Sequence, residues 1–573
     1  MIRKISFENY KAFKSGELKL KPITILLGAN SVGKSSIINL LLMLQQTARV
    51  SNYKSAFKLH GENVSLGECE NLFRNKDTQN NIVIDFEFES KQLSDLLQKQ
   101  LYEEFIDRII EPVRFLYRFK DNILNEYFHD DIIKFLDDML PLDDIIITKD
   151  MFLNIVNGIE KINTDIISQD KQVDDFIRYY TSRGYIRNNS SRETLVSMYD
   201  FLFNLKGIDN NIFNISFECS YINQNDEGTI RLKKVIIKNN DTEILRVVLD
   251  YKIDVGLYDN VRVFSDYSPK ELLCEEIAKQ EFMEQIKHNS TIFSWIDSYD
   301  GEYRDFYYDD VDNDINALDT KVVSQILGLS LTHIRKYFTK ELVNHVSPLR
   351  AHPKRYYFLD NANINTSINT LDGNSLTEVL KENTKVRTKV NEWLKKFGLQ
   401  VNVSTLQDII HKLKVRQHSL ELDITDVGFG ISQILPIIVQ GFLSFDNSLT
   451  MIEQPEIHLH PKMQADLADL FIDIVKNRNK RKSNSMNLQK YLLIETHSEY
   501  LLRRLRRRIA EGKISSEDVA IYFLEHPDDG QSGTIINEKT ISSNGYFDWP
   551  QDFYAKELLN DTTEFIKQSF RNL

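Results

Sequence analysis

Residues 28–36 read GANSVGKSS, a short segment with glycines at 28 and 33. From Gly28 to Ser35 it fits the pattern G-x-x-x-x-G-K-[ST] at every fixed position. The continuous apolar run at 23–27 is typical of a strand buried on both faces, and residues 35–46 have the pattern of a helix. Between a strand and a helix, the backbone N–H groups of a glycine-rich turn can surround phosphate oxygens, and the helix dipole favours their negative charge. The stretch therefore predicts a phosphate-binding loop.

The side chains of this loop predict which ligand it binds. Lys34 is expected to reach the β- and γ-phosphates of ATP, and the Ser35 hydroxyl is expected to bind Mg²⁺. ATP and Mg²⁺ are therefore the predicted cofactors. The loop residues predicted to contact the nucleotide are Gly28, Ala29, Asn30, Ser31, Val32, Gly33, Lys34, Ser35 and Ser36.

A second motif, MIEQPEIHLHP at 451–461, lies far along the chain from the first. Glu453 ends an apolar strand, which is where an acid beside a phosphate-binding loop usually holds Mg²⁺ through water. We therefore expect the two segments to form the halves of one ATP site, with Ser35 and Glu453 as its metal ligands.

Gln454 occupies the position at which many nucleotide hydrolases have a glutamate that activates water. A glutamine cannot take a proton from water as a carboxylate does, and general-base help is typically worth about 10²–10⁴-fold. A glutamine can still orient water through hydrogen bonds. Two interpretations stay open. One is slow hydrolysis with a long-lived ATP-bound form, and the other is hydrolysis at normal rates driven by Glu456, if the turn at Pro455 bends back.

Four motifs in this order resemble those of the ABC-type ATPases of the RecF, SMC and OLD-like group. They are GANSVGKSS at 28–36, DVGFGISQILP at 426–436, MIEQPEIHLHP at 451–461 and IETHSEYLL at 494–502. The sequence most resembles AAA-labelled ATPases of bacterial anti-phage systems such as PARIS and Septu, and GYFDWPQDFY at 545–554 resembles the tail of uncharacterised members. The resemblance implies an α/β fold, with an ABC-type P-loop ATPase head, an antiparallel β subdomain and helical insertions.

The resemblance also implies roles for individual residues. Gly428, Gly430 and Ser432 stand in the signature motif, which in that family opens a helix that caps the γ-phosphate on the partner subunit. The signature serine usually stands at the position of Gly428, so one hydroxyl contact is missing. His497 matches the switch histidine that senses the γ-phosphate. The residues predicted to act in catalysis are Glu453, Gln454, Glu456 and His497.

Hydrophobic patterns divide the chain into five predicted segments. Apolar residues at helical spacing mark two insertions, and alternating apolar and polar residues near 84–89 and 213–221 mark strands. The segments are 1–90, the N-terminal half of the ATPase head; 91–205, a helical insertion; 206–265, an antiparallel β segment; 266–345, a second helical and acidic insertion; and 346–573, the C-terminal half of the head with a tail.

Composition excludes several classes of protein. Of the 573 residues, 42% are hydrophobic and 27% are charged, which is ordinary for a soluble protein with substantial cores. No unbroken apolar run is long enough to cross a bilayer, and the first residues lack the apolar region of a secretory signal. Cys69, Cys219 and Cys274 lie far apart, without metal-binding spacing. We therefore expect a reduced, cytoplasmic protein that binds no membrane.

Basic residues are concentrated on both sides of the motif that contains His497. The net charge of −13 argues against DNA wrapping over the whole surface but allows a local basic track. The stretch 476–490 contains no acid, and five arginines lie between 503 and 508. A helix that turns about 100° per residue spreads these arginines over several faces. Ion pairing within the protein and binding of DNA or RNA phosphates both stay open.

Three further features are less specific. His458 and His460 have H-x-H spacing but no third metal ligand nearby, so we predict no metal site there. Residues 297–319 are strongly acidic and aromatic, which indicates a solvated loop or, alternatively, a docking or ion-binding loop. Arg350, just after the second insertion, is expected to return near the nucleotide.

The leading hypothesis is an ATP-binding and slowly hydrolysing ABC-type ATPase that forms a homodimer around ATP, or a higher oligomer. As the resemblance implies, it would act as a sensor or scaffold for a separate effector protein, such as a nuclease, in prokaryotic anti-phage defence, with DNA or a phage protein as trigger. The Toprim nuclease domain of OLD-like proteins is not expected, because no acidic metal triad follows His497. The alternatives are a DNA-repair or DNA-tethering ATPase of the RecF or SMC type, and a non-hydrolysing ATP-bound scaffold.

Overall fold

The structure, a computed structural model, describes residues 2–107, 109–110, 147–167, 191–208, 210–224, 227–296, 318–339, 342–358, 367–369, 373–407, 409–417, 419–476, 489–527, 533–548 and 563–569. In chain order the strands are β1 (Ile2–Tyr10), β2 (Phe13–Lys19), β3 (Ile23–Gly28), β4 (Ile82–Glu89), β5 (Ile212–Gln224), β6 (Glu227–Asn239), β7 (Thr242–Lys252), β8 (Leu257–Phe264), β9 (Val343–Val346), β10 (Tyr357–Phe358), β11 (Leu399–Gln407), β12 (Ile410–Gln417), β13 (Leu420–Asp423), β14 (Leu449–Glu453), β15 (Tyr491–Glu495), β16 (Val519–Glu525) and β17 (Ile535–Lys539). The main helices are α1 (Lys34–Ala48), α2 (Lys91–Asp95), α3 (Lys149–Ile167), α4 (Arg192–Leu205), α5 (Glu276–Glu284), α6 (Leu318–Tyr337), α7 (Asn374–Glu382), α8 (Thr384–Leu394), α9 (Phe429–Leu443), α10 (Pro461–Lys476) and α11 (Glu499–Ala510). Within these ranges, no helix is long and apolar enough to span a bilayer.

The chain forms two compact units. The first comprises Met1–Val50, Phe57–Phe86 and Ile334–Leu573, and the second comprises Ser51–Ala56 and Glu87–His333. The finer division into five segments stays a prediction.

A six-stranded sheet forms the centre of the first unit, in the order β17–β16–β3–β15–β14–β9. All of these strands except β17 run parallel to one another. Every residue of β3 is buried, which explains its continuous apolar sequence. The register pairs Glu495 with Leu26 on one side and with Glu453 on the other. Because parallel strands end at the same edge, the phosphate loop and both glutamates lie at one edge of the sheet.

Helices of the first unit pack on this sheet and form its core. Trp393 of α8 is 2% exposed and belongs to the same buried cluster as Ile25 of β3 and Ile494 of β15. The apolar residues of α11 recur at helical spacing and are buried: Leu501, Leu502, Leu505 and Ile509. This cluster fixes the register of the strands that carry the predicted site.

Two smaller groups of antiparallel strands complete the first unit. β1 pairs with β2, and β4 lies on the other side of β1. The second group has the order β10–β12–β11, with β13 also pairing with β12. Neither group carries a residue that the sequence predicts for the site.

The second unit contains an antiparallel meander of β5, β6, β7 and β8. Alternate residues of β5 are fully buried, as the sequence pattern predicts: Phe213, Ile215, Phe217 and Cys219. Helices α3, α4 and α5 belong to this unit, and the Ser191 hydroxyl caps α4 by accepting from the Thr194 N–H. The helical patterns within 111–146 and 168–190, and the acidic residues 297–317, lie outside the described residues.

These observations confirm the predicted fold class. The protein is α/β, with a parallel sheet, an antiparallel β meander, and helices that lie in the sequence between β4 and β9.

Candidate nucleotide-binding site

The loop after β3 adopts a conformation that its glycines permit. Gly28 has a φ of 145° and Gly33 a φ of 102°, and Ser31 between them also lies in the left-handed region, at 64°. A Cβ atom at Gly28 would lie 2.4 Å from the carbonyl oxygen of Leu524. The helix α1 starts directly after this loop, so its unpaired N-terminal N–H groups belong to the same turn.

Replacing Gly28 by alanine is expected to destabilise the protein by about 3 kcal/mol, because the new Cβ meets backbone at a strained φ. Gly428→Ala is the matched control, since Gly428 has a φ of −52° and no described residue lies within 4 Å of its Cβ position. That variant should change the free energy of unfolding by less than about 1 kcal/mol. Urea unfolding of both variants measures the two changes in stability. Equal unfolding midpoints for the two variants would contradict the close approach of Gly28 to the carbonyl oxygen of Leu524.

The side chain of Lys34 is hydrogen-bonded to the backbone of the phosphate loop. Its Nζ donates hydrogen bonds to the carbonyl oxygens of Gly28, at 3.0 Å, and Ala29, at 2.6 Å. Burial lowers the pKa of Lys34, and the nearby carboxylates of Glu495 and Glu456 oppose this effect. The ammonium group therefore lies between the loop and the acidic side of the site.

Ser35 joins the loop to the neighbouring strand. Its hydroxyl donates a hydrogen bond to Oε2 of Glu495 at 3.0 Å. Glu495 ends β15 and is paired in register with Glu453, which ends β14. Burial, and then the nearby Glu453, raise the pKa of Glu495. Two carboxylates and a hydroxyl thus lie at one edge, and their negative charges favour a cation.

Glu453, the predicted metal ligand, is held by residues that follow or belong to β9. Its Oε1 lies 2.7 Å from Nε2 of His345. Arg350 Nη2 donates to the carbonyl oxygen of Glu453 at 2.8 Å and to that of Gln454 at 3.3 Å. Arg350 therefore reaches the end of β14, and its place near the nucleotide stays a prediction.

Gln454 has an unusual backbone conformation. Its φ is 42°, in the left-handed region that residues with a side chain rarely adopt. Its N–H donates to the carbonyl oxygen of Glu495 at 2.8 Å, while Arg350 binds its carbonyl oxygen. Gln454 is thus fixed from two sides directly after Glu453, and strain of this kind is concentrated at functional sites.

The carboxylate of Glu456 is hydrogen-bonded to the segment that follows β15. Oε2 accepts from the Thr496 hydroxyl at 2.8 Å, and Oε1 accepts from the backbone N–H of His497 at 2.6 Å. Burial raises the pKa of Glu456, and these hydrogen bonds oppose that effect. Glu456 therefore joins the two predicted catalytic segments to each other.

His497 presents an unsatisfied ring nitrogen. Its Nε2 is buried and has no hydrogen-bond partner among the described residues. Burial, and then the charge of Lys34, lower the pKa of His497, so the ring is neutral at pH 7. A buried polar atom without a partner costs free energy, which suits a group that binds a ligand.

The predicted signature segment begins α9. Gly428 is the N-terminal cap of this helix, which has no side-chain cap. A Cβ atom at Gly430 would lie 3.1 Å from the carbonyl oxygen of His458, and Ser432 is 9% exposed. The start of α9 therefore packs against the 451–461 segment.

Comparison with known proteins agrees with this geometry. Residues 1–502 match the family model described as the AAA ATPase domain. The chain belongs to that family. No curated protein sequence matches it.

Two solved structures similar to this AAA ATPase domain protein are SMC heads. The SMC head domain from Thermotoga maritima has a TM-score of 0.32 and 7% sequence identity, over 94% of this chain and 98% of that one. The Smc head domain from Pyrococcus furiosus, with an extended coiled coil and bound to the C-terminal domain of ScpA, has a TM-score of 0.31 and 10% identity, over 94% and 96%. The fold assignment rests on the strand order and the family match.

ATP and Mg²⁺ fit the residues of this AAA ATPase domain protein. The glycine turn leads directly into the N-terminus of α1, and the buried Nε2 of His497 lacks a partner among the described residues. Ser35, Glu453 and Glu495 offer the oxygen ligands that Mg²⁺ prefers, and Mg²⁺ usually takes only one or two carboxylates besides water and phosphate. The roles of the individual site residues stay predictions.

The absence of a metal site at His458 and His460 stays a prediction. Across the described ranges, no group of three or more His, Cys, Asp or Glu side chains could hold a metal ion. Nδ1 of His460 accepts from the Lys462 N–H at 3.3 Å, which is a local turn contact.

The arginines of α11 are engaged within the protein. Arg504 and Arg508 bind Asp469 at 2.8 Å and 2.5 Å, and Arg508 also binds Glu511. Arg503 also binds Glu499, Arg507 binds Glu511, and Arg506 donates to the carbonyl oxygen of Gly545. Ion pairing is therefore the interpretation that fits this helix. Of the preceding basic stretch, 477–488 lies outside the described residues.

Lys490, the last residue of the basic stretch, is also engaged. It is 2% exposed and donates to the carbonyl oxygens of Gly441 and Phe442 at the end of α9. Burial lowers its pKa to about 8. Its contacts are those of a residue that holds the end of a helix.

Two residues of the site were not singled out from the sequence. Glu495 carries a signal that could have found it, because it ends a buried strand as Glu453 does. His345 carries no comparable signal, since its place beside Glu453 depends on β9 pairing with β14.

Proposed function

We propose that the protein is an ATP-binding ABC-type ATPase that hydrolyses ATP slowly, so that its ATP-bound form is long-lived. The observation that carries this proposal is that both carboxylate oxygens of Glu456 accept hydrogen bonds from residues 496 and 497. With Glu456 engaged and a glutamine at 454, neither position offers a free carboxylate to take a proton from water. The rate acceleration of about 10²–10⁴-fold that a general base typically provides is therefore missing.

The chain's own residues bind and orient the nucleotide in this proposal. Backbone N–H groups of the loop and Lys34 hold the phosphates, and His497 senses the terminal phosphate through Nε2. Gln454 orients water with its side-chain amide. Mg²⁺, held by Ser35 and Glu453, would neutralise phosphate charge when bound.

We further propose that two chains close around ATP. The start of α9 supports this, because no described residue lies within 4 Å of a Cβ position at Gly428, and a glycine offers no side-chain oxygen to cap the helix. Its N-terminal N–H groups and dipole favour an anion. In the proposed dimer, the anion at the N-terminus of α9 would be a phosphate of the ATP that the second chain holds.

This proposal is tested by measuring the mass of the particle and its rate of ATP hydrolysis in the same sample. With saturating ATP, the mass of the particle is expected to double and to stay doubled while phosphate is released far below the 1–10³ s⁻¹ typical of enzymes. A monomer at saturating ATP would contradict the dimer, and turnover at ordinary enzyme rates would contradict slow hydrolysis. No release above background would leave the non-hydrolysing scaffold as the function.

The biological role that we propose is a sensor or scaffold for a separate effector in prokaryotic anti-phage defence. The ordered set of four motifs supports this through its resemblance to such ATPases. A long-lived ATP-bound form suits a device that switches once, because a ligand shifts an equilibrium by its differential affinity for two states. Phage plating on cells that carry the gene with its neighbours, against the same cells with Lys34→Ala, tests the role.

The DNA-repair or DNA-tethering alternative has less support from the described residues. It needs basic side chains that are available to phosphates. Arg504 and Arg508 are instead bound to Asp469, and Arg506 to a carbonyl oxygen, whereas Arg503 and Arg507 are 66% exposed in their ion pairs. DNA binding that weakens steeply with salt would restore this alternative.

ATP binding is expected to become tighter as the pH falls through the range in which His497 of the bound protein takes up a proton. In the free protein, burial and Lys34 hold the pKa of His497 below its usual value, and a bound triphosphate would raise it. Binding then takes up a proton between the two pKa values, so affinity rises as the pH falls. Calorimetry in two buffers of different ionisation enthalpy measures this uptake. The same uptake in His497→Asn would show that another group is responsible.

A further inference from the structure

Arg350 is a buried cation that the proposed reaction does not use. Its side chain is 6% exposed, and burial lowers its pKa to about 10, so the guanidinium is charged at pH 7. A charge taken out of water needs good hydrogen bonds and an opposite charge to offset its lost hydration.

The hydrogen bonds of Arg350 are incomplete. Nη2 donates to the carbonyl oxygens of Glu453 and Gln454. Nε and Nη1 are buried and have no partner in the part of the chain that the structure describes. A buried donor without an acceptor costs free energy. A ligand that accepts hydrogen bonds from Nε and Nη1 would therefore be favoured.

The neighbouring carboxylates do not supply that acceptor. Glu456 and Glu453 lie close enough to oppose the lowering of the pKa of Arg350. Oε1 of Glu453 is nevertheless bound to His345, and both oxygens of Glu456 are bound to residues 496 and 497. The attraction is electrostatic, without a hydrogen bond to Nε or Nη1.

We propose that Arg350 distinguishes ATP from ADP, with Nε and Nη1 donating to the terminal phosphate while Nη2 holds the backbone of Gln454. A guanidinium presents its donors in a planar fork that matches phosphate oxygens. ADP would leave both donors without an acceptor. The second unsatisfied group of the site, Nε2 of His497, is likewise linked to Glu456 and independently indicates a missing ligand.

This inference rests on the proposed function and makes Arg350 a positioning residue as well as a phosphate ligand. The same guanidinium that binds the terminal phosphate fixes Gln454 at its φ of 42°. Binding of a γ-phosphate to Arg350 would thereby affect the position of Gln454, the residue proposed to orient water.

Equilibrium binding of ADP and of a non-hydrolysable ATP analogue tests the proposal. The wild-type protein is expected to bind the analogue more tightly than ADP. In Arg350→Gln, affinity for the analogue should fall about 10- to 100-fold, while affinity for ADP stays within about 2-fold. Arg350→Lys keeps the positive charge but not the planar fork of donors, so its affinity for the analogue should fall less than that of Arg350→Gln. Arg355→Gln is the control, since Arg355 lies in the same segment with a 64% exposed side chain.

The outcomes separate this proposal from the proposed function. Equal loss of affinity for both nucleotides, or no loss for either, would show that Arg350 is only structural. If Arg350→Gln does not fold, Arg350→Lys decides, because equal loss of affinity for the two nucleotides, or no loss for either, in that variant also overturns the proposal. Wild-type protein that binds no nucleotide would overturn the proposed function itself.

Discussion

Lys34→Ala is expected to abolish nucleotide binding, with affinity for ATP reduced at least about 100-fold. Lys34 Nζ lies inside the loop, bound to the carbonyl oxygens of Gly28 and Ala29, between those groups and the carboxylates of Glu495 and Glu456. Without it, no side-chain cation of the loop opposes the charge of the triphosphate. Calorimetry or fluorescent-nucleotide binding measures the loss.

The control for this prediction is a lysine that starts another helix. Lys385 is exposed in the first turn of α8, and Lys385→Ala should bind ATP as the wild type does. Both variants should keep the circular dichroism of the wild type, because alanine is a good helix former in the first turn of either helix. Normal ATP affinity in a folded Lys34→Ala protein would refute the phosphate-binding loop and everything proposed from it.

The loop and the strand before it could be predicted because their signals are local. The run at 23–27 and the glycines at 28 and 33 lie within one short stretch, and the φ values of 145° and 102° are those that glycine permits. Glu453 was also predictable, because the end of an apolar strand is a local pattern. The same reasoning applies to the alternating strand 213–221.

The partners of these residues could not be predicted, because they depend on which strands lie side by side. Ser35 donates to Glu495 because β15 lies between β3 and β14, and no local pattern fixes that order. His345 reaches Glu453 because β9 pairs with the far side of β14. The sequence therefore predicts where acids end strands but not which acid receives which donor.

The state of Glu456 was left open for a similar reason. Whether the turn after Gln454 returns Glu456 to water or to the protein depends on one backbone angle, and a φ of 42° at a glutamine is not predictable from its sequence. The structure places Glu456 against Thr496 and His497. This contact is what separates the two interpretations of the hydrolysis rate.

Gln454→Glu is expected to raise the rate of ATP hydrolysis about 100-fold or more, because it supplies the missing general base. Glutamate has the shape of glutamine, so it can occupy the same backbone position at no additional steric cost. Its charge would lie beside Glu453 and Glu495, and like charges raise the pKa of a carboxyl group towards neutral pH, where a general base is most effective. Phosphate release at saturating ATP measures the rate, and the ATP-dependent dimer should become shorter-lived in parallel.

Glu456→Gln distinguishes this mechanism from its rival. An amide has one oxygen, so the variant keeps one of the two hydrogen bonds from residues 496 and 497, and the loss of the other should lower stability by about 1–3 kcal/mol. Because Glu456 is not the base in our proposal, turnover should change only a few-fold. If Glu456→Gln instead abolishes turnover while Gln454→Glu leaves it unchanged, Glu456 takes the proton, and its two hydrogen bonds must open during each catalytic cycle.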